Sequence, residues 1–241
     1  LAAQQFFARK FEFGVSHTDR PQPTEVKIKL GFVHVPKCGG TSLHFWLRDS
    51  LGLVKLNSET LLQSALDAPS FPQFVSFGHL SVDAVIDSGY LRAEALESAY
   101  TFSFVRNPFT RALSLFSHFQ VINQIPRDWS INKFLTLVKL SEPDVGLFNV
   151  ARLSQSAPQT RWIRQKLWPG PSTIVRLEAP ANLEEQLRER FGVTSVMVPV
   201  RESNSSRFIK QCDSRTTKLV KDIYREDFDA FGYDPDAPPW I

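Results

Sequence analysis

Ile28-Lys29-Leu30-Gly31-Phe32-Val33-His34-Val35 runs directly into Pro36-Lys37-Cys38-Gly39-Gly40-Thr41-Ser42. The 28–35 stretch is rich in β-branched and aromatic residues and reads as a strand entering a core. Pro36 and two successive glycines end that strand, so a loop must follow. Thr41-Ser42 can then cap a helix whose apolar residues Leu43, Trp46, Leu47 and Leu51 recur at helical spacing. Strand, glycine loop and helix start form the physical recipe for gripping a phosphate. Backbone N–H groups converge in the loop, and the helix dipole adds about half a positive charge. Gly39 and Gly40 let the backbone approach an anion closely, Lys37 adds a mobile positive charge, and Thr41 and Ser42 add hydroxyl donors.

The order of residues narrows the chemistry. In the nucleotide triphosphatase loop the lysine follows the second glycine. Here Lys37 precedes Gly39-Gly40, and neither Gly-Lys-Ser/Thr nor G-x-G-x-x-G occurs in the chain. An ordinary ATPase and a dinucleotide-binding dehydrogenase are both disfavoured. A second unit repeats the theme. Tyr100–Val105 reads as a strand, Arg106-Asn107 leaves it, and Pro108 suits the first turn of a helix over Phe109–Phe119. Ligands of open α/β sheets sit beyond the carboxyl ends of strands, which is where Arg106 and the 36–42 loop fall. An arginine fork there can hold a second phosphate bidentately. Its competing use is an ion pair with a nearby carboxylate that staples the strand end. Ser114 lies eight residues after Arg106, two turns into the helix.

Elsewhere the pattern predicts a short strand at Phe74–Phe77 ending in Gly78-His79, and further strands at Thr173–Leu177 and Ser195–Val200. Helices are expected near Ile131–Leu140, Arg161–Leu167, Leu183–Phe191 and Arg215–Phe231. Strands alternating with helices imply parallel pairing and an α/β layered fold. Residues 1–27 read as an arm interrupted by Pro21-Gln22-Pro23, and 28–241 as a single domain. With 42% hydrophobic residues and 20 Phe, the chain can bury one substantial core. Two cysteines, Cys38 and Cys212, exclude a disulfide scaffold and a cysteine-rich zinc module. No His/Cys/Asp/Glu cluster has zinc-ligand spacing, so no metal is expected.

A net charge of +3 is too weak for a dedicated duplex-DNA binder, and no nucleic-acid partner is expected. The charge is uneven: residues 160–225 carry 13 Lys/Arg against 7 Asp/Glu, whereas 226–241 carry five acids and no base. The basic third could face an anionic ligand or form solvated helix faces. No apolar run approaches the roughly 20 residues that span a bilayer, and no signal-peptide pattern opens the chain. The chain begins at Leu1 rather than Met and is read as an excised piece of a longer protein.

Val35–Leu43 followed by Val105-Arg106-Asn107-Pro108, Arg111 and Ser114 resembles the paired signatures of sulfotransferases. The first is similar to their 5′-phosphosulfate loop and the second to their 3′-phosphate element. The most similar branch holds heparan sulfate uronyl 2-O-sulfotransferases and bacterial relatives. Phe77-Gly78-His79-Leu80 resembles its Gly-His segment, Asn204-Ser205-Ser206 its late Asn-Ser loop, and Ile223–Tyr233 its closing helix. The resemblance implies a P-loop-like three-layer fold with a central, mainly parallel sheet flanked by helices. It implies the donor 3′-phosphoadenosine 5′-phosphosulfate (PAPS), no metal, and transfer of a sulfuryl group to a hydroxyl of a glycan or small-molecule acceptor. Pro36, Lys37, Cys38, Gly39, Gly40, Thr41 and Ser42 would grip the 5′-phosphosulfate, and Arg106 with Ser114 the 3′-phosphate. Arg201 and Asn204 would cover the nucleotide, and Gln159 would lie near the acceptor.

His79 would match the catalytic base. An unperturbed imidazole, with a pKa of about 6.5, suits that task, while Lys37 would stabilise the departing oxygen. Cys38 stands where Thr or Ala is frequent, which adds an oxidation liability. Phe77 stands where the uronyl 2-O enzymes carry a second His, so His79 is the sole base candidate of that segment. Two other functions compete. A P-loop-like ATP-dependent kinase would need a magnesium-binding carboxylate, and no acid here has that motif context. A non-catalytic nucleotide- or polyanion-binding module would use the basic 160–225 region. His34 is read as a satisfied strand-end residue, while His44 and His118 lie on helices beside the phosphate motifs. Phe231, Tyr233 and Trp240 are expected to pack on the core. A free cysteine in the donor loop and no leader fit the cytoplasm, with the Golgi lumen as the alternative if a longer protein carries an anchor.

Overall fold

A computed structural model of the chain describes residues 28–51, 74–76, 81–87, 92–141, 149–150, 153–164, 166–197 and 204–240. The arm, the segment around His79, and Arg201 lie outside the described residues. In chain order the first half forms β1 (Leu30–Val33), α1 (Gly40–Leu51), β2 (Phe74–Ser76), α2 (Val82–Asp87), α3 (Glu94–Glu97), β3 (Tyr100–Val105), α4 (Pro108–Val121) and α5 (Ile131–Leu140). The second half adds the hairpin of β4 (Asn149–Val150) and β5 (Leu153–Ser154), then α6 (Gln159–Ile163), β6 (Thr173–Arg176) and α7 (Ala181–Phe191). A 3₁₀ helix over Asn204–Gln211 leads into α8 (Ser214–Ile223) and α9 (Arg225–Phe231).

The sheet order is β2-β1-β3-β6, and every neighbouring pair is parallel. From β1 the chain moves to β2 on one flank, then crosses to β3 on the other. Where the direction of winding reverses, the loops diverge and a crevice opens beyond the carboxyl ends of the two strands. That crevice lies between β1 and β3, whose ladder runs from Leu30 opposite Tyr100 to Val33 opposite Ser103.

Side chains alternate across each strand, so β1 faces two cores. Leu30 and Phe32 join Phe102 and Phe104 of β3 against Leu43 and Leu47 of α1, Leu183 and Leu187 of α7, and Trp162 of α6. Val33 points the other way, onto Val82 and Val85 of α2, Leu96 of α3 and Trp168. The result is a parallel sheet with helices on both faces, as the alternating pattern predicts. Burial of Phe32, Phe102 and Phe104 is complete; each contributes about 1.5–3 kcal/mol. A further cluster joins α4, α5, the 3₁₀ helix, α8 and α9 through Phe109, Phe116, Phe119, Phe134, Phe208 and Phe228. Tyr233 packs against both this cluster and the sheet core.

Three segments depart from the sequence pattern. The helix expected near Arg161–Leu167 instead spans Gln159–Ile163, and Arg164 is already extended. The helix expected over Arg215–Phe231 is broken at Tyr224, which closes α8 and opens α9 at φ −112°, ψ 26°. Its side chain is fully buried: the hydroxyl donates to the Ser156 carbonyl at 3.1 Å and the Arg111 guanidinium lies over the ring. Seating the ring there redirects the chain, a tertiary demand that overrides helix propensity. The strand expected at Ser195–Val200 is absent from Ser195–Met197, where the Ser195 carbonyl instead accepts from Trp46 Nε1 at 3.0 Å. Residues 198–200 lie outside the described residues.

Candidate active site

The loop between β1 and α1 takes its shape from two left-handed residues, Lys37 at φ 67° and Gly39 at φ 80°. Only glycine adopts that conformation without strain, which explains Gly39; Lys37 accepts the cost. Gly40 is required for a different reason. A Cβ there would run into the His34 ring, which stacks on Phe32 with centroids 5.4 Å apart. His34 is thus the packing residue that its place at the strand end predicts. Pro36, Cys38, Gly40 and Ser42 are buried, Lys37 and Gly39 half-buried, and Thr41 exposed.

Arg106 meets this loop directly. Its Nη1 donates to the Lys37 carbonyl at 3.4 Å and its Nε to Thr110 Oγ1 at 3.0 Å. Among the described residues it makes no ion pair, so the carboxylate staple weighed from the sequence is not formed. Glu178, whose charge acts on Arg106, is engaged elsewhere, accepting from the Asn107 amide at 2.9 Å and the Tyr233 hydroxyl at 2.9 Å. Burial lowers the Arg106 pKa, and Glu178 is among the groups that oppose the shift.

Helix α4 begins as Pro108 predicts, with Asn107 accepting from the Phe109 amide at 2.9 Å. One face of it carries Arg111, Ser114 and His118, spaced three and four residues apart. Arg111 is fully buried and spends its guanidinium on three carbonyls: Pro36 at 3.0 Å, Ala157 at 3.0 Å and Gln155 at 2.9 Å. At the other end of the face, burial and the charge of Lys37 push the His118 pKa down to about 4. Ser114 lies between the two and is buried. The loop is thus tied to Arg111 through Pro36 and to Arg106 through Lys37, and Ser114 is buried one turn beyond Arg111 on the same helix.

Gln159 has no exposed surface. Its Oε1 accepts from Cys38 Sγ at 3.0 Å and the Arg106 amide at 2.8 Å. Its Nε2 donates to the Arg106 carbonyl at 2.9 Å and to Asp227 Oδ2 at 3.2 Å. The Asp227 carboxylate also accepts the Gln159 and Thr160 amides, both at 2.9 Å, and so caps α6. Burial raises the Asp227 pKa, while Arg111 and these N–H donors oppose the rise. Such burial leaves the Gln159 side chain committed to internal bonds, at the start of a helix that also buries Trp162. The oxidation liability of Cys38 is corrected. Its thiol is buried and its pKa is pushed up to about 12 by desolvation, so it remains a protonated hydrogen-bond donor.

Residues 24–146, just over half of the chain, match the sulfotransferase family. The chain belongs to that family. No curated protein and no solved structure matches it. The matched stretch of this sulfotransferase holds the Lys37 loop, Arg106, Arg111 and Ser114, whereas Gln159, Glu178 and Asp227 lie beyond it. The sequence places Arg111 within the motif that resembles the 3′-phosphate element but gives it no part of its own, and it gives Glu178 and Asp227 none. For Arg111 a signal existed, since it stands three residues before Ser114 on the same helical face. Of the other expected site residues, Asn204 opens the 3₁₀ helix, which is anchored on α4 by Phe208 against Phe116 at 4.8 Å. His79, Arg201 and the side chain of His44 lie outside the described residues. Among the described residues, no three His, Cys, Asp or Glu side chains are grouped to hold a metal ion. No described helix is long and apolar enough to cross a membrane. Phe231, Tyr233 and Trp240 pack on the hydrophobic clusters, as expected.

Proposed function

We propose that this sulfotransferase moves the sulfuryl group of PAPS to a hydroxyl oxygen of a carbohydrate or small natural product, within one domain over residues 28–241. The observation that carries the reading is the meeting of the Lys37 loop and Arg106 at the crevice between β1 and β3. A donor with anionic groups at both ends of an adenosine asks for two anion grips and surplus positive charge. Lys37, Arg106 and Arg111 supply the charge; among the described residues neither arginine is neutralised by an ion pair. Gly39 allows the left-handed turn against Leu177 and Gly40 makes room for the His34 ring, so the loop can lead straight into the start of α1, where a helix N-terminus suits a phosphate.

In this reading Pro36–Ser42 hold the 5′ end, Arg106 and Ser114 the 3′-phosphate, and Arg201 and Asn204 cover the nucleotide. The bound donor supplies an activated sulfuryl group. Lys37 holds a positive charge beside the loop, where negative charge develops during transfer. His79 accepts the acceptor hydroxyl's proton, because a neutral imidazole is available near pH 7. Positioning of the reactants supplies much of the remaining acceleration.

Incubation with labelled PAPS and a panel of hydroxyl-bearing acceptors, read by mass spectrometry, tests the reading. The expected result is an acceptor heavier by one sulfuryl group together with free adenosine 3′,5′-bisphosphate. Absence of bisphosphate binding by calorimetry overturns the reading. His79→Ala is expected to bind the bisphosphate normally and to transfer about 10²-fold more slowly; unchanged transfer removes His79 from the mechanism.

A further inference from the structure

The ladder between β1 and β3 ends at Val33 and Ser103, and both donor-gripping elements lie past that point. Beyond it the two segments are no longer paired, so their spacing is set by something other than the β1–β3 ladder. We infer that Gln159 is the positioning residue that fixes this spacing, so that the 5′ loop and the Arg106 strand end act together on one nucleotide. The inference rests on the donor reading above.

The geometry is specific to an amide. Cys38 Sγ and the Arg106 amide need an acceptor, and both find Oε1. The Arg106 carbonyl and Asp227 need a donor, and both find Nε2. A carboxylate of the same shape would set a second acceptor against two acceptors, and an apolar side chain would take away the partners that the amide gives the Arg106 N–H and carbonyl. Asp227 fixes which way the amide faces, because it is itself held by the Gln159 and Thr160 amides. Arg111 pins the same loop from the side, through the Pro36 carbonyl at 3.0 Å. Gln159 alone among the described side chains bonds the loop, the Arg106 strand end and Asp227 together.

Two grips held at a fixed separation bind a two-ended ligand with an effective-concentration gain that neither grip has alone. The measurement is therefore calorimetric affinity for adenosine 3′,5′-bisphosphate, adenosine 5′-monophosphate and adenosine 3′-monophosphate. The unaltered protein is expected to bind the bisphosphate most tightly. Gln159→Leu is expected to lose about tenfold or more on the bisphosphate and less than twofold on either monophosphate. Equal weakening of all three ligands, or an unchanged bisphosphate affinity, overturns the inference. If Gln159→Leu does not fold, Gln159→Glu decides, since it keeps the length and an acceptor but loses both Nε2 donors. Gln159→Glu is expected to bind the bisphosphate about threefold more weakly than the unaltered protein and each monophosphate within about twofold of it; an unchanged bisphosphate affinity, or equal weakening of all three ligands, overturns the inference. Failure of the unaltered protein to bind the bisphosphate defeats the donor reading itself, and this inference with it.

Discussion

Helix α4 passes through two regions of opposite character. One face of it borders the crevice between β1 and β3 and carries polar groups: Arg111 on three carbonyls, with Gln159 and Asp227 below. The opposite face enters a cluster of rings in which Phe116 meets Phe134 at 5.6 Å and Phe119 meets Phe134 at 5.8 Å. Ring packing is non-directional and tolerates small shifts. Hydrogen bonds fix distance and angle and lose strength steeply when either is wrong. The difference teaches that stability and positioning come from different parts of one helix: the ring cluster holds the fold together, and the polar edge determines where its ligand-facing atoms stand.

That division can be broken by substitution. The largest effect on folding is expected from Phe116→Ala, at about 3–5 kcal/mol, because the ring is fully buried. Chemical denaturation measures the loss. Bisphosphate affinity of the molecules that remain folded should stay as it was; a parallel loss of affinity would show that the two regions are not separable. Next comes Lys37→Ala, expected to lower turnover about 10²-fold with a smaller change in donor affinity and little change in melting temperature. Near-full turnover would refute the role given to Lys37.

The smallest effect concerns His118, at the boundary of the two regions. With its pKa held at about 4 instead of 6.5, the folded chain declines a proton that the unfolded chain takes up between those values. This contribution therefore favours folding above about pH 6.5 and is lost as the pH falls toward 4. After allowance for the partly exposed ring, it amounts to about 1 kcal/mol. His118→Gln should lose less melting temperature than the parent between pH 7 and pH 4.5. Parallel curves would mean that the imidazole contributes nothing to the acid sensitivity of the fold.

Legibility followed the same division. Strand β3 and helix α5 fall where the sequence pattern puts them, because apolar periodicity and flanking caps agree: Ser130 accepts from the Lys133 amide at 3.3 Å at the start of α5. The loop at Lys37 and the strand end at Arg106 were readable because glycine, proline and charge act locally. The break at Tyr224 was not, since no glycine or proline marks it and its cause is a partner far away in the chain. The bonding of Gln159 was not legible for a related reason. A glutamine's four hydrogen bonds depend on three distant segments, and no spacing within the sequence encodes their convergence. The helices α2 and α3 and the 3₁₀ helix span too few residues to declare a period.

The bond from Asp227 to Gln159 also has a consequence for biosynthesis. Pro36 and Lys37 leave the ribosome before β2, β3 and β6 have been made, whereas the carboxylate that secures their footing emerges only after all three. A nascent chain halted at Tyr224 would carry both anion-gripping segments and yet lack the group that orients the amide between them. Translation-arrested chains should therefore gain nucleotide affinity late and abruptly, once α9 is out of the exit tunnel, rather than as each segment appears.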